Sequence, residues 1–464
     1  MQKFPISIEK WIVPKYKAYS LYVCTKRAIP HLIDGFKPGQ RKIMHTAKRR
    51  AVSFIKVISL SGYCVAESNY HHGDKSLNDT ISLMAQDFTC SNNYPLLEGQ
   101  GGFGNRFGAS PSAPRYIFVK LSENYEILFD KRDVPVLNKS DDEDSPEPEF
   151  YVPTIPYVLL NGVSGIAVGY TTHIPSYNPN HIVKNIENIL KGSTKKIEVA
   201  PYYSQYIGKI QREDDAWAMY GKFERVNTTT IRITEIPMGM TTAKYKAILN
   251  VLVDDGTIKD YDDLSATSWE FIIRAPRTFV ALTDKELVSV FKLRANIKEE
   301  LNVVFDDKVI PYGNNVQKLI SDFVEVRLEF YNKRRVYILN SMRDNIIKLF
   351  IKFSINKYLK SQTIKKLNKK EVVEYIVTHN SKMEAFFNDV LDGTDSSYID
   401  DIEEIAQGVL QEFRLNEAYT DKMGDYQDRI IEIHDEHNVL YAKSDADLYT
   451  EDLSILKKKI GVIK

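Results

Sequence analysis

A chain of 464 residues is too long for one ordinary hydrophobic core and has material for roughly two to four domains. Its 43% hydrophobic and 27% charged residues are those of a globular protein; no apolar run long enough for a membrane span occurs, and Met1–Lys10 lacks the apolar core of a signal peptide. The formal net charge of zero hides an uneven spread: residues 1–60 carry a net +11, suited to a polyanion, and residues 401–464 a net −7. Cys24, Cys64 and Cys90 are odd in number, widely spaced and form no CxxC, which reads as reduced thiols and excludes a disulfide frame or a cysteine zinc site.

In chain order, the first informative segment is RAIPHLIDGFKPGQRK, Arg27 to Lys42. Pro30 ends one helix, Asp34-Gly35 makes a turn, and Pro38 starts the next helix with Gln40, Arg41 and Lys42 in its first turns. This resembles a helix-turn-helix with cations on its exposed side, where arginine can grip phosphate as a planar fork and lysine acts as a point charge. A basic helix start with no nucleic-acid role is the alternative.

Next comes Tyr70-His71-His72-Gly73-Asp74. Adjacent histidines on a regular element point apart and nothing nearby completes a ligand set, so no metal site is expected. The choices that remain are a hydrogen bond from His72 to a phosphate or leaving oxygen, and a satisfied structural pair. Leu97 to Gly104 (LEGQGGFG) holds four glycines, whose backbone can approach a ligand closely; it is not a nucleotide P-loop. After it, Ala113-Pro114-Arg115-Tyr116-Ile117-Phe118 places an arginine beside one of 28 tyrosines. A phenol with a pKa of about 10 is a poor nucleophile at neutral pH. A neighbouring guanidinium favours the phenolate and neutralises a phosphate. The plainer reading of Tyr116 is a buried residue opening the strand YIFVKL.

Residues 139–149 (KSDDEDSPEPE) read as an exposed acidic loop or linker, and Tyr151 to Tyr170 as buried strands joined by tight turns. TTTIRITEIP and WEFIIRAP, within residues 201–310, alternate as half-exposed strands of a mixed α/β domain. From Tyr312 the spacing becomes helical (Val316, Leu319, Ile320, Phe323), with Arg327, Arg334 and Arg335 interrupting the apolar stripe. No Pro or Gly lies between Asn314 and Leu391, which predicts one long helix followed by shorter ones; a compact bundle would show the same periodicity. Ile402 to Leu440 is long enough to return along it as an antiparallel partner, although Gly408 and Gly424 interrupt it.

The order RAIP…DGFKPGQRK, YHHGD, glycine loop, PRYIF resembles the DNA-gate region of type IIA DNA topoisomerases. SNNYPLLEGQGGFGNRFG and IPYVLLNGVSGIAVG match that family's pattern too. The wording is closer to its eukaryotic and T-even bacteriophage branch than to bacterial gyrase. The likeness runs from about Arg27 to Arg335, with a weaker echo at Ser444 to Ile460. The fold class it implies is α+β multidomain: a winged-helix DNA-cleavage domain over 1–150, a mixed α/β tower domain over 151–311, and a long antiparallel coiled coil with a helical exit gate over 312–464.

By the same resemblance Tyr116 forms a 5′-phosphotyrosyl bond and Arg115 stabilises charge on the scissile phosphate. Arg27, Lys37, Arg41 and Lys42 contact DNA, with Arg41 reaching the active site. His72 contacts the leaving 3′ oxygen, and His71 is a weaker match. Ile166 wedges between base pairs, although a core isoleucine fits its apolar run as well. No EGDSA-like motif occurs, and the DxD strings at Asp142–Asp144 and Asp445–Asp447 follow no apolar strand. The chain therefore looks like the medium subunit of a phage-type enzyme, with a eukaryotic fragment as the competing origin. It would bind double-stranded DNA as a homodimer, through a DNA gate and an exit gate near residues 355–420. A separate large subunit would supply ATPase and Toprim domains, bind ATP and hold Mg²⁺. The setting implied is intracellular, the host cytoplasm for a phage protein, with no membrane partner. Two rivals stand beside this: a non-catalytic architectural DNA-binding protein on the same fold, and a metal-dependent nuclease using His71, His72 and Asp74.

Overall fold

The computed structural model describes residues 7–140, 145–361, 369–378, 402–412 and 423–459. The chain forms two compact units: Met1–Leu328 with Thr450–Lys464, and Glu329–Tyr449. The expected edges at residues 150 and 311 thus both fall inside the first unit.

The first unit opens with helix α1 (Ile8–Val23), which runs into a π-helical turn at Cys24–Ala28. Ile29, before Pro30, is extended because the proline ring crowds a helical predecessor. Helix α2 (Pro38–Arg50) starts on its proline and ends on Lys48, Arg49 and Arg50, cations that suit the carbonyl end of a helix. It buries Ile43, Met44 and Ala47 against α3 (Val57–Glu67), and α4 (Asp74–Met84) packs against both. Strands β1 (Ile55–Lys56), β2 (Leu97–Gln100) and β3 (Phe118–Leu121) form an antiparallel sheet in the order β1-β3-β2. Three helices and a small sheet of this kind make a winged helix.

Short helices α5 (Glu123–Leu128) and α6 (Val158–Asn161) follow, then the hairpin β4 (Val163–Ile166) and β5 (Thr171–Ile174). Here the structure departs from the expected buried strands. VLLN is helical, and the hairpin turns Ile166 outward at 79% exposure. The acidic segment departs as well. Residues 141–144, with the Asp142–Asp144 string, lie outside the described residues, but the flanks fold back: Lys139 bridges Pro148, Glu147 is buried, and Lys42 holds it at 2.6 Å.

Beyond α7 (Pro179–Leu190) come two antiparallel sheets. One has the order β12-β7-β6, from β6 (Lys209–Glu213), β7 (Ala216–Tyr220) and β12 (Arg294–Ile297). The other, β10-β11-β9-β8, is built from β8 (Lys222–Asn227), β9 (Thr230–Glu235), β10 (Asp260–Asp263) and β11 (Phe271–Arg274). Alternate residues Ile231, Ile233, Phe271 and Ile273 point to one core with Tyr245 and Leu249 of α8 (Thr242–Asp254), and with α9 (Arg277–Val280) and α10 (Asp284–Val290). Each such side chain, fully buried, contributes about 1.5–3 kcal/mol. A last hairpin pairs β13 (Asn302–Phe305) with β14 (Lys308–Pro311).

Helix α11 (Val316–Ser361) is the expected long helix. Arg327, in the first unit, is wholly buried and meets Asp133 at 2.7 Å. In the second unit the buried Arg334 lies over Tyr331, which stacks on Tyr449 with centroids 4.8 Å apart, and Arg335 meets Asp445 at 2.9 Å. The arginines that interrupt the apolar stripe are therefore part of the packing. Ile346 packs on Ile430 and Ile433 of a helix at Met423–Tyr441, whereas the earlier Tyr331 and Arg335 meet Tyr449 and Asp445, so partner numbers fall as α11 rises and the pairing is antiparallel. The far end of α11 packs with α12 (Lys369–Thr378) and α13 (Ile402–Glu412). The Met423–Tyr441 helix is α14, and α15 is Asp445–Lys459. Most of the exit gate expected near 355–420 lies outside the described residues.

Candidate functional site

Within the first unit a cleft of about 650 Å³ gathers Arg27, Lys37, Arg41, Lys42, His71 and His72 on its lining. The cleft forms because α2 starts at the turn after Pro30 while the YHHGD segment enters α4 beside it. Its cations are unequal. Arg27 is exposed. Arg41 gives Asp34 two bonds, from Nε at 2.7 Å and Nη2 at 3.1 Å, and its side chain is only 11% exposed. Lys42 donates to the Ser68 carbonyl at 2.5 Å and to Ser145 Oγ at 2.9 Å, besides holding Glu147. Lys37 Nζ donates to the Ser164 carbonyl at 2.7 Å, and burial lowers its pKa. Three of the four cations expected to face DNA thus have protein partners.

His71 and His72 are exposed. Partial burial, and then the charges of Arg27 and His71, push the His72 imidazole below its ordinary 6.5. A neutral ring near pH 7 still donates one N–H. Tyr70 sets its edge against the His72 ring, with centroids 5.4 Å apart, and burial raises the Tyr70 pKa against a hydrogen bond with Ser76. Among the described residues, no group of three or more His, Cys, Asp or Glu could hold a metal ion.

Tyr116 and Arg115 lie outside that cleft lining, at the end of the glycine-rich loop. Ser112 N–H donates to Gly102 O at 2.8 Å, and Gly104 has a φ of +88°, where a Cβ would strike the Ala109 carbonyl. The loop therefore folds back on itself and delivers Ala113–Tyr116 to the head of β3. There Tyr116 N–H donates to Ala113 O at 2.9 Å, and Ile58 and Val57 N–H groups bind the carbonyls of Pro114 and Ile117. With the backbone held and Ile117 buried, Tyr116 is left 66% exposed. The Arg115 guanidinium sits 5.0 Å from the centre of its ring. Tyr116 is thus not the buried strand-opener its sequence also allowed.

Ile166 occupies a third position, at the end of β4. Gly165 beside it lies so close to the Ala28 carbonyl that a Cβ would approach within 2.3 Å. The hairpin is pressed onto the π-helical turn while Ile166 projects. Asp34, read from sequence only as a turn former, is a further residue that shapes the site: fully buried, it accepts from Arg41, from Phe36 N–H at 3.0 Å and from Tyr151 N–H at 3.1 Å. The available signal was its isolation, as the sole acid between Glu9 and Glu67 in a run of cations. Lys26, also on the cleft lining, pairs with Asp307 at 2.9 Å.

A winged helix that exposes a tyrosine beside an arginine, with a basic cleft in the same unit, defines a nucleic-acid-handling protein. The chain belongs to the DNA gyrase/topoisomerase IV A-subunit family, whose model matches residues 27–453. It is 39% identical over 331 residues to a mitochondrial DNA topoisomerase 2 of Dictyostelium discoideum, covering 69% of this chain and 26% of that one. It is 36% identical over 378 residues to the DNA topoisomerase 2 of Candida albicans, covering 76% and 25%. Its fold is similar to the DNA-binding, cleavage and re-ligation domain of Plasmodium falciparum topoisomerase II, with a TM-score of 0.80 at 28% identity over 98% of this chain and 63% of that chain. The chain spans about a quarter of the length of these curated relatives. Among the described residues, no helix is long and apolar enough to cross a membrane.

Proposed function

We propose that this chain is the DNA cleavage and religation subunit of an ATP-dependent type II topoisomerase. The observation that carries the reading is the exposed Tyr116 side chain with the Arg115 guanidinium beside its ring. The Tyr116 phenolic oxygen attacks a backbone phosphorus, and the bond from phosphorus to the 3′ oxygen breaks. The phenol gives its proton to water and the departing 3′ oxygen takes one from water, with the neutral His72 donating a hydrogen bond to that oxygen. One phosphodiester replaces another, so the 3′ hydroxyl can reverse the step without external energy. Arg115 offsets the charge on the phosphate as it passes through the five-coordinate arrangement. Arg27, exposed on the cleft, supplies a phosphate contact; Arg41, Lys42 and Asp34 hold the cleft in shape. Ile166 unstacks a base step and bends the duplex, at a cost of a few kcal/mol recovered by wider contact.

Two copies cutting opposite strands give a transient double-strand break through which a second duplex passes. In this reading, as the family resemblance implies, Mg²⁺ and ATP belong to a large partner subunit with Toprim and ATPase domains, and no step above runs through them. The motif wording resembles the T-even medium subunit, and in that reading the protein works inside an infected host cell. The three-part division at residues 150 and 311 belongs to this reading too.

Covalent trapping is the test. The chain is mixed with supercoiled DNA, Mg²⁺ and a candidate Toprim–ATPase subunit, then denatured. Protein attached to 5′ ends at Tyr116 is the expected result. Tight DNA binding with no adduct would leave the architectural reading in its place.

A further inference from the structure

Lys37 is the last residue before α2, in the segment whose cations suit phosphate. One of its three donors is nevertheless taken up by the protein, bonded to the Ser164 carbonyl at 2.7 Å. Ser164 lies on β4, two residues before Ile166, so the contact links the start of α2 to the strand that presents the projecting side chain. Other anchors hold the rest of the hairpin. Asn302 Nδ2 donates to Thr171 O at 2.5 Å, and His173 and Glu300 exchange backbone hydrogen bonds at 2.9 Å. Cys24 Sγ reaches Val168 O at 3.5 Å, and Gly165 abuts Ala28. These contacts tie the hairpin to the π-helical turn and to β13. The Lys37 bond instead comes from the residue that caps the helix lining the basic cleft.

We infer that Lys37 is a positioning residue, which sets the angle at which the β4–β5 hairpin offers Ile166 to DNA and couples that angle to the cleft. An ammonium donating to a carbonyl makes a charge-assisted bond stronger than a neutral one. Without it β4 keeps its anchor at Gly165 but loses its tether to α2, and the hairpin tip gains freedom. The inference rests on the proposed role of Ile166 as a wedge.

The test is DNA bending, measured by energy transfer between dyes at the two ends of a short duplex, with the whole chain at saturating concentration. The variants are K37M, K37R, I166A and the K37M/I166A double. K37M is expected to lower the bend to the I166A level, with no further loss in the double variant and recovery in K37R, whose guanidinium can still donate to Ser164. An unchanged bend in K37M, with the salt dependence of binding (the slope of log K on log salt) reduced by about 0.9, would make Lys37 a phosphate contact and overturn the inference. An I166A variant that bends DNA as wild type does would instead overturn the wedge reading, and the inference with it.

Discussion

The basic cleft and the Tyr116 loop are parts of one unit built to opposite rules. In the cleft, charge is spent on the protein itself: Arg41 on the buried Asp34, Lys42 on Glu147 and Ser68, Lys37 on Ser164. In the loop the backbone is bonded, but the Arg115 and Tyr116 side chains stay exposed. The contrast teaches that a cluster of cations in sequence can be mostly a scaffold. The proposed reacting group, Tyr116, stands out instead as a side chain left exposed on a backbone with little freedom.

The largest effect that would sharpen this contrast is in the loop. Tyr116→Phe should eliminate the covalent adduct and leave DNA affinity nearly unchanged, since only one hydroxyl is removed; adduct trapping beside a binding titration checks both. In the cleft, Asp34→Ala should cost about 3–5 kcal/mol in denaturant unfolding, because it strands a buried guanidinium and two backbone donors. A loss below about 1 kcal/mol would mean that Arg41 finds another partner, and the scaffold description would fail. Arg115→Ala should slow adduct formation by about 10²–10³-fold at little cost in stability, the reverse of the Asp34 pattern.

A pH series probes the cleft floor. His31 stacks on Phe150 with ring centroids 4.7 Å apart, and burial lowers its pKa to about 4, aided by Arg41 and Lys26 and opposed by Asp34 and Asp307. The unfolded imidazole takes a proton near pH 6.5, so between that pH and 4 the folded state binds fewer protons. The His31 contribution is therefore intact above pH 6.5 and declines as pH falls toward 4, by about 3 kcal/mol in all. His31→Gln should flatten that part of the profile; equal slopes in the two proteins would remove His31 as the cause. The smallest effect belongs to Lys26, whose pair with Asp307 is exposed on both sides, at 54% and 63%. Lys26→Ala should change stability by under about 0.5 kcal/mol, yet lower the salt slope of DNA binding by about one if the cleft mouth meets phosphate.

The sequence alone was enough for the start of α2 at Pro38, for β9 and β11, for the long helix from Val316 and for its antiparallel return. Each is written in local rules, whether a proline's fixed φ, an alternation of period 2 or an unbroken helical stripe, and local rules need no knowledge of distant residues. The order of motifs was enough for the family and for Tyr116 as a candidate. What the sequence could not decide was which way each side chain would face and what would reach it first. Ile166 sits in an apolar run that reads as core, and only its place on a hairpin pinned at Gly165 turns it outward. Arg41 reads as a phosphate ligand, and only the fold brings Asp34 under it. Arg327 reads as a break in a stripe, until Asp133, almost two hundred residues earlier, supplies the countercharge inside the core. These outcomes depend on partners far apart in the chain, whose charges and carbonyls meet only after the backbone has closed around them. Burial then makes each pairing obligatory, because an unpaired charge or donor there costs more than folding without it would save.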